Sequence, residues 1–111
     1  METYKKFEIV AVPFPFTDRQ AEKRRPALVV SDEEFNTASG HAVMAMITSQ
    51  KNPGWLLDVN ISGKGAGLTA PSKVRMKLFT LDCRLIVRKI GQLSAKDQAA
   101  VGKGLSDLFK F

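Results

Sequence analysis

The apolar residues of this chain fall in short runs of six or seven residues, with proline, glycine or charged segments between them. Runs of this length that are rich in β-branched and aromatic residues are typical of β-strands. The sequence therefore predicts six strands, at residues 7–12, 26–31, 42–47, 55–61, 73–79 and 85–90. Pro13 and Pro15 are expected to end the first strand, because proline cannot donate a hydrogen bond to a sheet.

Two further segments favour helix. Residues 32–36 suit a single helical turn, with Ser31 or Asp32 as its N-cap. Ser94 and Asp97 resemble a capping box, which marks the start of a longer helix. The apolar residues that follow at helical spacing are Val101, Leu105, Leu108 and Phe109. Short strands followed by one late helix predict a single domain over residues 1–111, mainly β (α+β), in which a small barrel carries a C-terminal helix.

The charge balance of the chain points to an anionic partner. Lys and Arg number 17 against 11 Asp and Glu, which gives a net charge of +6 and a pI near 9.7. A small domain this basic attracts nucleic acid, an anionic membrane surface or an acidic protein. The predicted C-terminal helix has no strong cationic face opposite its apolar stripe, which argues against the membrane surface.

Cysteine and histidine are too scarce for several kinds of site. Cys83 and His41 are the only residues of these types, so an intrachain disulfide is impossible and neither a metal nor a cofactor is expected. The early acid Glu2 argues against a signal peptide, and no apolar segment reaches the length of a membrane helix. The sequence therefore predicts a soluble, cytoplasmic protein.

The segment between the first two strands is polar, charged and without periodicity, so residues 14–25 are predicted to form a long loop. Aromatic side chains that stack on bases, beside cations that bind phosphates, suit single-stranded nucleic acid. The loop residues of these two kinds are Phe14, Phe16, Arg19, Lys23, Arg24 and Arg25. Alternatively, Phe14 and Phe16 pack on the core or in a dimer interface.

Basic residues alternate with apolar ones along the predicted fifth strand. The apolar side would consist of Val74, Met76 and Leu78, and the solvated side of Lys73, Arg75 and Lys77. This basic outer face either lines the same groove as the loop or is an edge that discourages aggregation.

Four remaining features have ordinary structural interpretations. A histidine can act as a general acid or base, but His41 lies on no motif and fits an exposed loop position. Trp55 could stack on a base, although a half-buried position in the barrel wall is the more common role. Cys83 has no histidine nearby in sequence and is interpreted as structural. The stretch Gly63–Gly67 lacks the spacing of a phosphate-binding loop.

Four segments, taken in order, resemble a known family. They are Phe7–Val10 with Val12–Asp18, Arg25–Ser31, Ile47–Ser49, and Pro71–Arg75 running into Leu78–Asp82, after which Ile90–Ser94 leads into the terminal helix. Together they are similar to the PemK/MazF toxins of type II toxin–antitoxin systems. The similarity spans nearly the whole chain, and the ordered set is more specific than any one segment.

This resemblance implies a dimeric, SH3-like β-barrel that cleaves single-stranded mRNA at short sequence motifs without a metal. It also implies an antitoxin, with which the protein would bind operator DNA. The family's reactive pair corresponds to Arg25 and Thr48, with Ser49 beside them. The RNA-binding residues that we assign on this basis are Phe14, Phe16, Thr17, Arg19, Lys23, Arg24, Lys51 and Arg75.

The chemistry of these residue types fits attack by a ribose 2′-hydroxyl on the adjacent phosphate. Arg25 has a permanent charge and a planar fork of donors that match phosphate oxygens, so it can stabilise a phosphorane. Thr48 and Ser49 can donate hydrogen bonds, but no residue is an obvious base. Many family members have an acid shortly after the arginine of the fourth segment, whereas no acid follows Arg75 here before Asp82.

Two other functions are compatible with a barrel of this kind. One is a non-catalytic module that binds RNA or operator DNA. The other is a gyrase poison, because a related toxin family shares the barrel and acts through a tryptophan and glycine motif at the end of its terminal helix. This chain ends in Leu108–Phe111 and has its only tryptophan at Trp55, which disfavours the second function.

Overall fold

The computed structural model describes residues 3–14, 23–62 and 66–110. Its elements, in chain order, are β1 (Glu8–Phe14), β2 (Lys23–Val29), α1 (Glu33–Ser39), β3 (His41–Ser49), β4 (Val59–Ile61), β5 (Ser72–Asp82), a 3-10 turn (Cys83–Leu85), β6 (Arg88–Gln92) and α2 (Ala95–Phe109). The strands form one antiparallel sheet in the order β4-β5-β3-β2-β1-β6. This half-barrel, with α2 packed on β4 and β5, confirms the predicted mainly β fold with a C-terminal helix.

Apolar side chains are buried on both faces of the sheet. On one face, which we call the helix face, a cluster including Ile9, Leu28, Ile47 and Val74 packs with Val101 of α2. On the other, the distal face, a second cluster includes Val10, Val12, Val29, Met44 and Leu81. Because side chains alternate along a strand, the members of these two clusters show on which face each of the remaining strand residues lies. The absence of alternation predicted for 42–47 follows from this burial on both sides.

The first strand is longer than predicted, because Pro13 does not end it. β1 continues to Phe14, with Pro13 opposite Arg24 of β2. The ladder between β1 and β6 stops at the pair Ala11 and Arg88, so Pro13 has a neighbouring strand on one side only. A proline is tolerated in such an edge position, where its missing N–H is not needed.

Both ends of the predicted loop belong to strands. Phe14 belongs to β1, and the cationic run Lys23–Arg25 forms the start of β2 rather than a loop. The predicted RNA-binding residues Phe16, Thr17 and Arg19 lie outside the described residues, as does Pro15.

Two other predicted strands are wrong in their bounds. Only Val59–Ile61 of the segment 55–61 is a strand, because residues 55–58 form a turn instead. The segment 85–90 is replaced by a 3-10 turn and the later strand Arg88–Gln92. In that turn, the Asp82 side chain accepts a hydrogen bond from the backbone N–H of Arg84, and this cap interrupts the extended chain. Of the stretch Gly63–Gly67, residues 63–65 lie outside the described part of the chain.

Both predicted helices are present. α1 is longer than the single turn expected, with Asp32 as its N-cap and Gly40, at a φ of 70°, as its C-cap. The backbone N–H of Asp97 donates to Ser94 Oγ at 3.2 Å, so α2 begins where the capping pattern predicts. Neither described helix is long and apolar enough to cross a membrane.

Candidate functional site

Arg25 lies at the open end of β2, over an aromatic ring. The strand register places Arg25 opposite Val12 and Lys23 opposite Phe14, so all four side chains are on the distal face. The Arg25 guanidinium carbon lies 5.0 Å from the centroid of the Phe14 ring, within the range of a cation–π contact. The ring thus orients the guanidinium of an exposed arginine without neutralising its charge.

Thr48 lies near the end of β3, on the same face as Arg25. The register of β2 against β3, in which Ala27 is opposite Met46, places Arg25 opposite Thr48 when it is continued by two residues. The ladder of these two strands stops at Ala27, so the two side chains lie where the sheet opens. Asn52 Nδ2 donates to Thr48 Oγ1 at 2.5 Å, which leaves the hydroxyl proton of Thr48 to donate to another group.

Ser49, the third predicted catalytic residue, is not brought together with this pair. It follows Thr48 in β3 and therefore lies on the helix face. Its Oγ accepts a hydrogen bond from the backbone N–H of Lys51 at 3.2 Å. This contact shapes the turn after β3.

The predicted basic outer face of β5 is wrong for two of its three residues. Lys73 and Arg75 point to the distal face, where the segment 52–58 covers them, and only 7% and 13% of their side chains are exposed. Both pair with Asp58, whose side chain is 10% exposed, at 3.4 Å from Lys73 Nζ and 3.0 Å from Arg75 Nη2. Only Lys77 is exposed as predicted.

Backbone carbonyls complete the hydrogen bonding of the two buried cations. Lys73 Nζ donates to the carbonyl of Asn52 at 2.6 Å, and Arg75 Nη2 donates to that of Pro53 at 2.6 Å. Arg75 Nε also donates to Asp58 Oδ1 at 3.3 Å. The two cations therefore fix the segment 52–58 in place, and their donors point inward rather than toward solvent.

Asp58 supplies a carboxylate to Arg75 that the sequence pattern around Arg75 does not predict. Burial acts to raise the pKa of Asp58, but the hydrogen bond from Arg75, that from the Trp55 backbone N–H, the charge of Arg75 and the hydrogen bond from Lys73 outweigh it. The pKa therefore lies below its ordinary value, and the carboxylate is ionised at neutral pH. Asp58 and Arg75 are 17 positions apart in the chain. They meet because the register of β4 against β5, continued by one residue, places Asp58 opposite Arg75.

Trp55 does not form part of the barrel wall, because it precedes β4 in a turn. Its backbone N–H donates to Asp58 Oδ2 at 2.8 Å, and its carbonyl accepts from the Asp58 N–H at 3.2 Å. The Arg75 guanidinium carbon lies 4.7 Å from the centroid of the Trp55 ring. Half of the Trp55 side chain remains exposed.

The other candidate residues contribute little geometry. Lys23, Arg24 and Lys51 are exposed. His41, the exposed first residue of β3, has its Nδ1 3.0 Å from the carbonyl of Ser39. Burial, followed by the charge of Asp82, raises the pKa of the Cys83 thiol, which therefore stays protonated. Within the described residues, no group of three or more His, Cys, Asp or Glu side chains could hold a metal ion.

The distal face thus brings together, at one end of the sheet, an exposed guanidinium, a hydroxyl donor and an aromatic ring. These features and the six-stranded half-barrel define a class of small, basic β-proteins. Residues 5–109 match the sequence profile of the PemK-like, MazF-like toxins of type II toxin–antitoxin systems, and the chain belongs to this family. No curated protein sequence matches it.

Solved structures of this family share the fold. MazF from Deinococcus radiodurans is 21% identical, covers 100% of both chains and has a TM-score of 0.78. MazF in a MazE–MazF complex from the same organism is 22% identical over 99% of each chain, with a TM-score of 0.80. The Mycobacterium tuberculosis toxin MazF-mt6 is 23% identical over 94% of this chain and 97% of its own, with a TM-score of 0.75.

Proposed function

We propose that this toxin is an endoribonuclease that cleaves single-stranded mRNA at short sequence motifs without a metal. The observation that carries the proposal is the position of Arg25, whose exposed guanidinium lies over Phe14, on the same face of the sheet as Thr48. A fixed cation beside a hydroxyl donor is suited to a phosphate that gains negative charge during reaction. The net charge of +6 favours the approach of RNA.

In the proposed reaction, the ribose 2′-oxygen forms a bond to the adjacent phosphorus while the bond from phosphorus to the 5′-oxygen breaks. The 2′-hydroxyl loses its proton, the leaving 5′-oxygen gains one, and the products carry a 2′,3′-cyclic phosphate and a 5′-hydroxyl. Arg25 binds the non-bridging oxygens, and Thr48 donates a hydrogen bond to the same phosphate. Ser49 lies on the opposite face, and its role is to stabilise the turn that follows β3 through the hydrogen bond from the Lys51 backbone.

No carboxylate or imidazole among residues 3–14, 23–62 and 66–110 hydrogen-bonds to Arg25 or Thr48. We therefore assign the rate enhancement mainly to charge stabilisation and positioning of the RNA. Phe14, Lys23 and Lys51 provide the stacking and phosphate contacts that hold the strand, whereas Arg24 lies on the other face of the sheet and is not assigned to this site.

Partners follow from the same proposal. Two of the similar structures are toxin–antitoxin complexes, one of MazE with MazF and one of a mycobacterial endoribonuclease with its cognate antitoxin. We infer that this chain also binds an antitoxin, whose acidic residues its charge would attract, and that the complex binds operator DNA. We further infer a homodimer that acts in the cytoplasm, where mRNA is translated.

The test is to incubate the protein with a long single-stranded RNA in EDTA and to map the cut ends. We expect discrete cuts with 2′,3′-cyclic phosphate ends, and a loss of at least about 100-fold in kcat for Arg25→Ala. Arg24→Ala is the matched control, because Arg24 is equally exposed but lies on the other face. Full activity of a folded Arg25→Ala variant would contradict the proposal.

A non-catalytic RNA-binding module is the second candidate, because the described residues include no base in contact with the reactive pair. RNA that is bound but remains intact in the same assay would favour that function.

A further inference from the structure

Two large apolar side chains lie side by side in the turn before β4. Trp55 is 50% exposed and Leu56 is 89% exposed. Leu57, which follows them, has a φ of 71°, a left-handed conformation that residues other than glycine, asparagine and aspartate rarely adopt. Strained backbone persists only where the surroundings hold it, and it is concentrated at functional sites. The turn therefore exposes Trp55 and Leu56 although its backbone conformation at Leu57 is unfavourable.

The hydrogen bonds of Asp58 hold this turn in place. Its carboxylate accepts from the Trp55 backbone N–H and from the Arg75 guanidinium, which in turn lies against the indole ring. The ring is thereby fixed in orientation, with a cation on one face and half of its surface open to solvent. The charge of Arg75 is already paired with Asp58, so the exposed feature is the aromatic ring rather than the cation.

The turn is also connected to the reactive pair. Asn52, three residues before Trp55, donates its side-chain N–H to Thr48 Oγ1 and accepts Lys73 Nζ at its carbonyl. The distal-face residues Lys73 and Arg75 therefore anchor the indole at the end of the sheet where Thr48 lies. Thr48 is the residue that would contact the scissile phosphate.

We propose that Trp55, with Arg75 against it, is a stacking subsite for one unpaired base of the RNA, and that Leu56 contacts the edge of that base. This inference rests on the proposed binding of single-stranded RNA. Aromatic rings bind bases of any sequence by their π-faces, and a cation in contact with the ring strengthens such a platform. In this assignment Arg75 supports the ring, whereas the sequence suggested that Arg75 itself contacts RNA.

Because Trp55 is the only tryptophan, its fluorescence reports on this subsite alone. The probe is a single-stranded RNA that contains a mapped cut site, with a 2′-deoxynucleotide at the scissile position so that it is not cut. We expect this RNA to quench the fluorescence of the wild-type protein at saturation. Heparin, a polyanion without bases, should displace the RNA and restore the emission.

Variants test the same inference by affinity, measured as the anisotropy of labelled RNA. Trp55→Leu should bind about 5- to 150-fold more weakly, the range expected for loss of one stacked base, and Trp55→Phe should retain most of the affinity. Phe35→Leu is the matched control, because Phe35 is 48% exposed but lies on α1. Its affinity should equal that of the wild type.

The outcomes separate this inference from the proposed function. Bound RNA without quenching, equal quenching by heparin, or wild-type affinity of Trp55→Leu overturns the stacking subsite and leaves the ribonuclease proposal intact. If Trp55 and Leu56 instead bind a protein segment, Trp55→Leu should have the wild-type affinity for RNA. Wild-type protein that neither binds nor cuts RNA overturns the proposed function and the subsite together.

Discussion

Replacing Asp58 with asparagine keeps the shape of the side chain but removes the charge between two buried cations. Removal of one partner of a buried ion pair costs about 3–5 kcal/mol when the remaining charge has no other partner. Here Lys73 and Arg75 retain carbonyl acceptors at 2.6 Å, and both are slightly exposed, so part of that cost is avoided. We expect Asp58→Asn to lower the free energy of unfolding by about 2–3 kcal/mol. For a domain of this size, that corresponds to a fall in Tm of about 10 °C.

The assay is unfolding by urea and by heat, at one protein concentration for all variants. Asp107→Asn is the control: Asp107 pairs with Lys103 at 2.8 Å on the surface of α2, where solvent screens the interaction. Its unfolding midpoint should match that of the wild type. If Asp58→Asn unfolds at the wild-type midpoint, or if Asp107→Asn is destabilised equally, the carboxylate does not hold the segment 52–58 in the way described.

Two further predictions concern stability. A Cβ at Gly91 would lie 2.5 Å from the carbonyl oxygen of Ala66, whereas one at Gly102, within α2, would meet no atom within 4 Å. Gly91→Ala should therefore lower the urea midpoint, and Gly102→Ala should raise the free energy of unfolding by about 0.5–1 kcal/mol; a gain in both would be inconsistent with the packing of β6. The pKa of Asp58 is lowered on folding, so its contribution is complete above its ordinary pKa of 3.8 and is lost as the pH falls through the lower folded value. Stability measured from about pH 6 to pH 2 should therefore decline less for Asp58→Asn than for the wild type, and parallel curves would contradict this account.

The sequence predicts a strand correctly where a continuous apolar run is itself buried in the sheet. The apolar run that became β3 is buried on both faces, and its composition shows this directly. The errors occurred where a neighbouring strand decides the structure. Pro13 stays in β1 because β6 has already ended, and Lys23–Arg25 is extended because β1 continues beside it. Neither fact is visible in the residues themselves.

The candidate site also contains residues that the sequence predicts and residues that only the strand pairing brings together. Arg25 and Thr48 are predicted from resemblance to a family, and their strand positions put both side chains on one face of the sheet, while their catalytic role stays a prediction. Asp58 is not predicted by the sequence around Arg75, because the two residues are 17 positions apart and meet only across the pairing of β4 with β5. The basic alternation of β5 was real, but alternation gives the face of a side chain and not what covers that face.

The pairing of β1 with β6 has a consequence for how the protein is made. A ribosome supplies residues in order, yet β1 lacks its second neighbour until Gln92 has been added, and the helix-face cluster contains both Ile9 and Val101. Such a sheet, dominated by contacts between distant parts of the chain, can be completed only after β6 and α2 have been synthesised. If the chain cuts mRNA as proposed, the transcript that encodes it is therefore not attacked by a copy in which β6 and α2 have still to be translated.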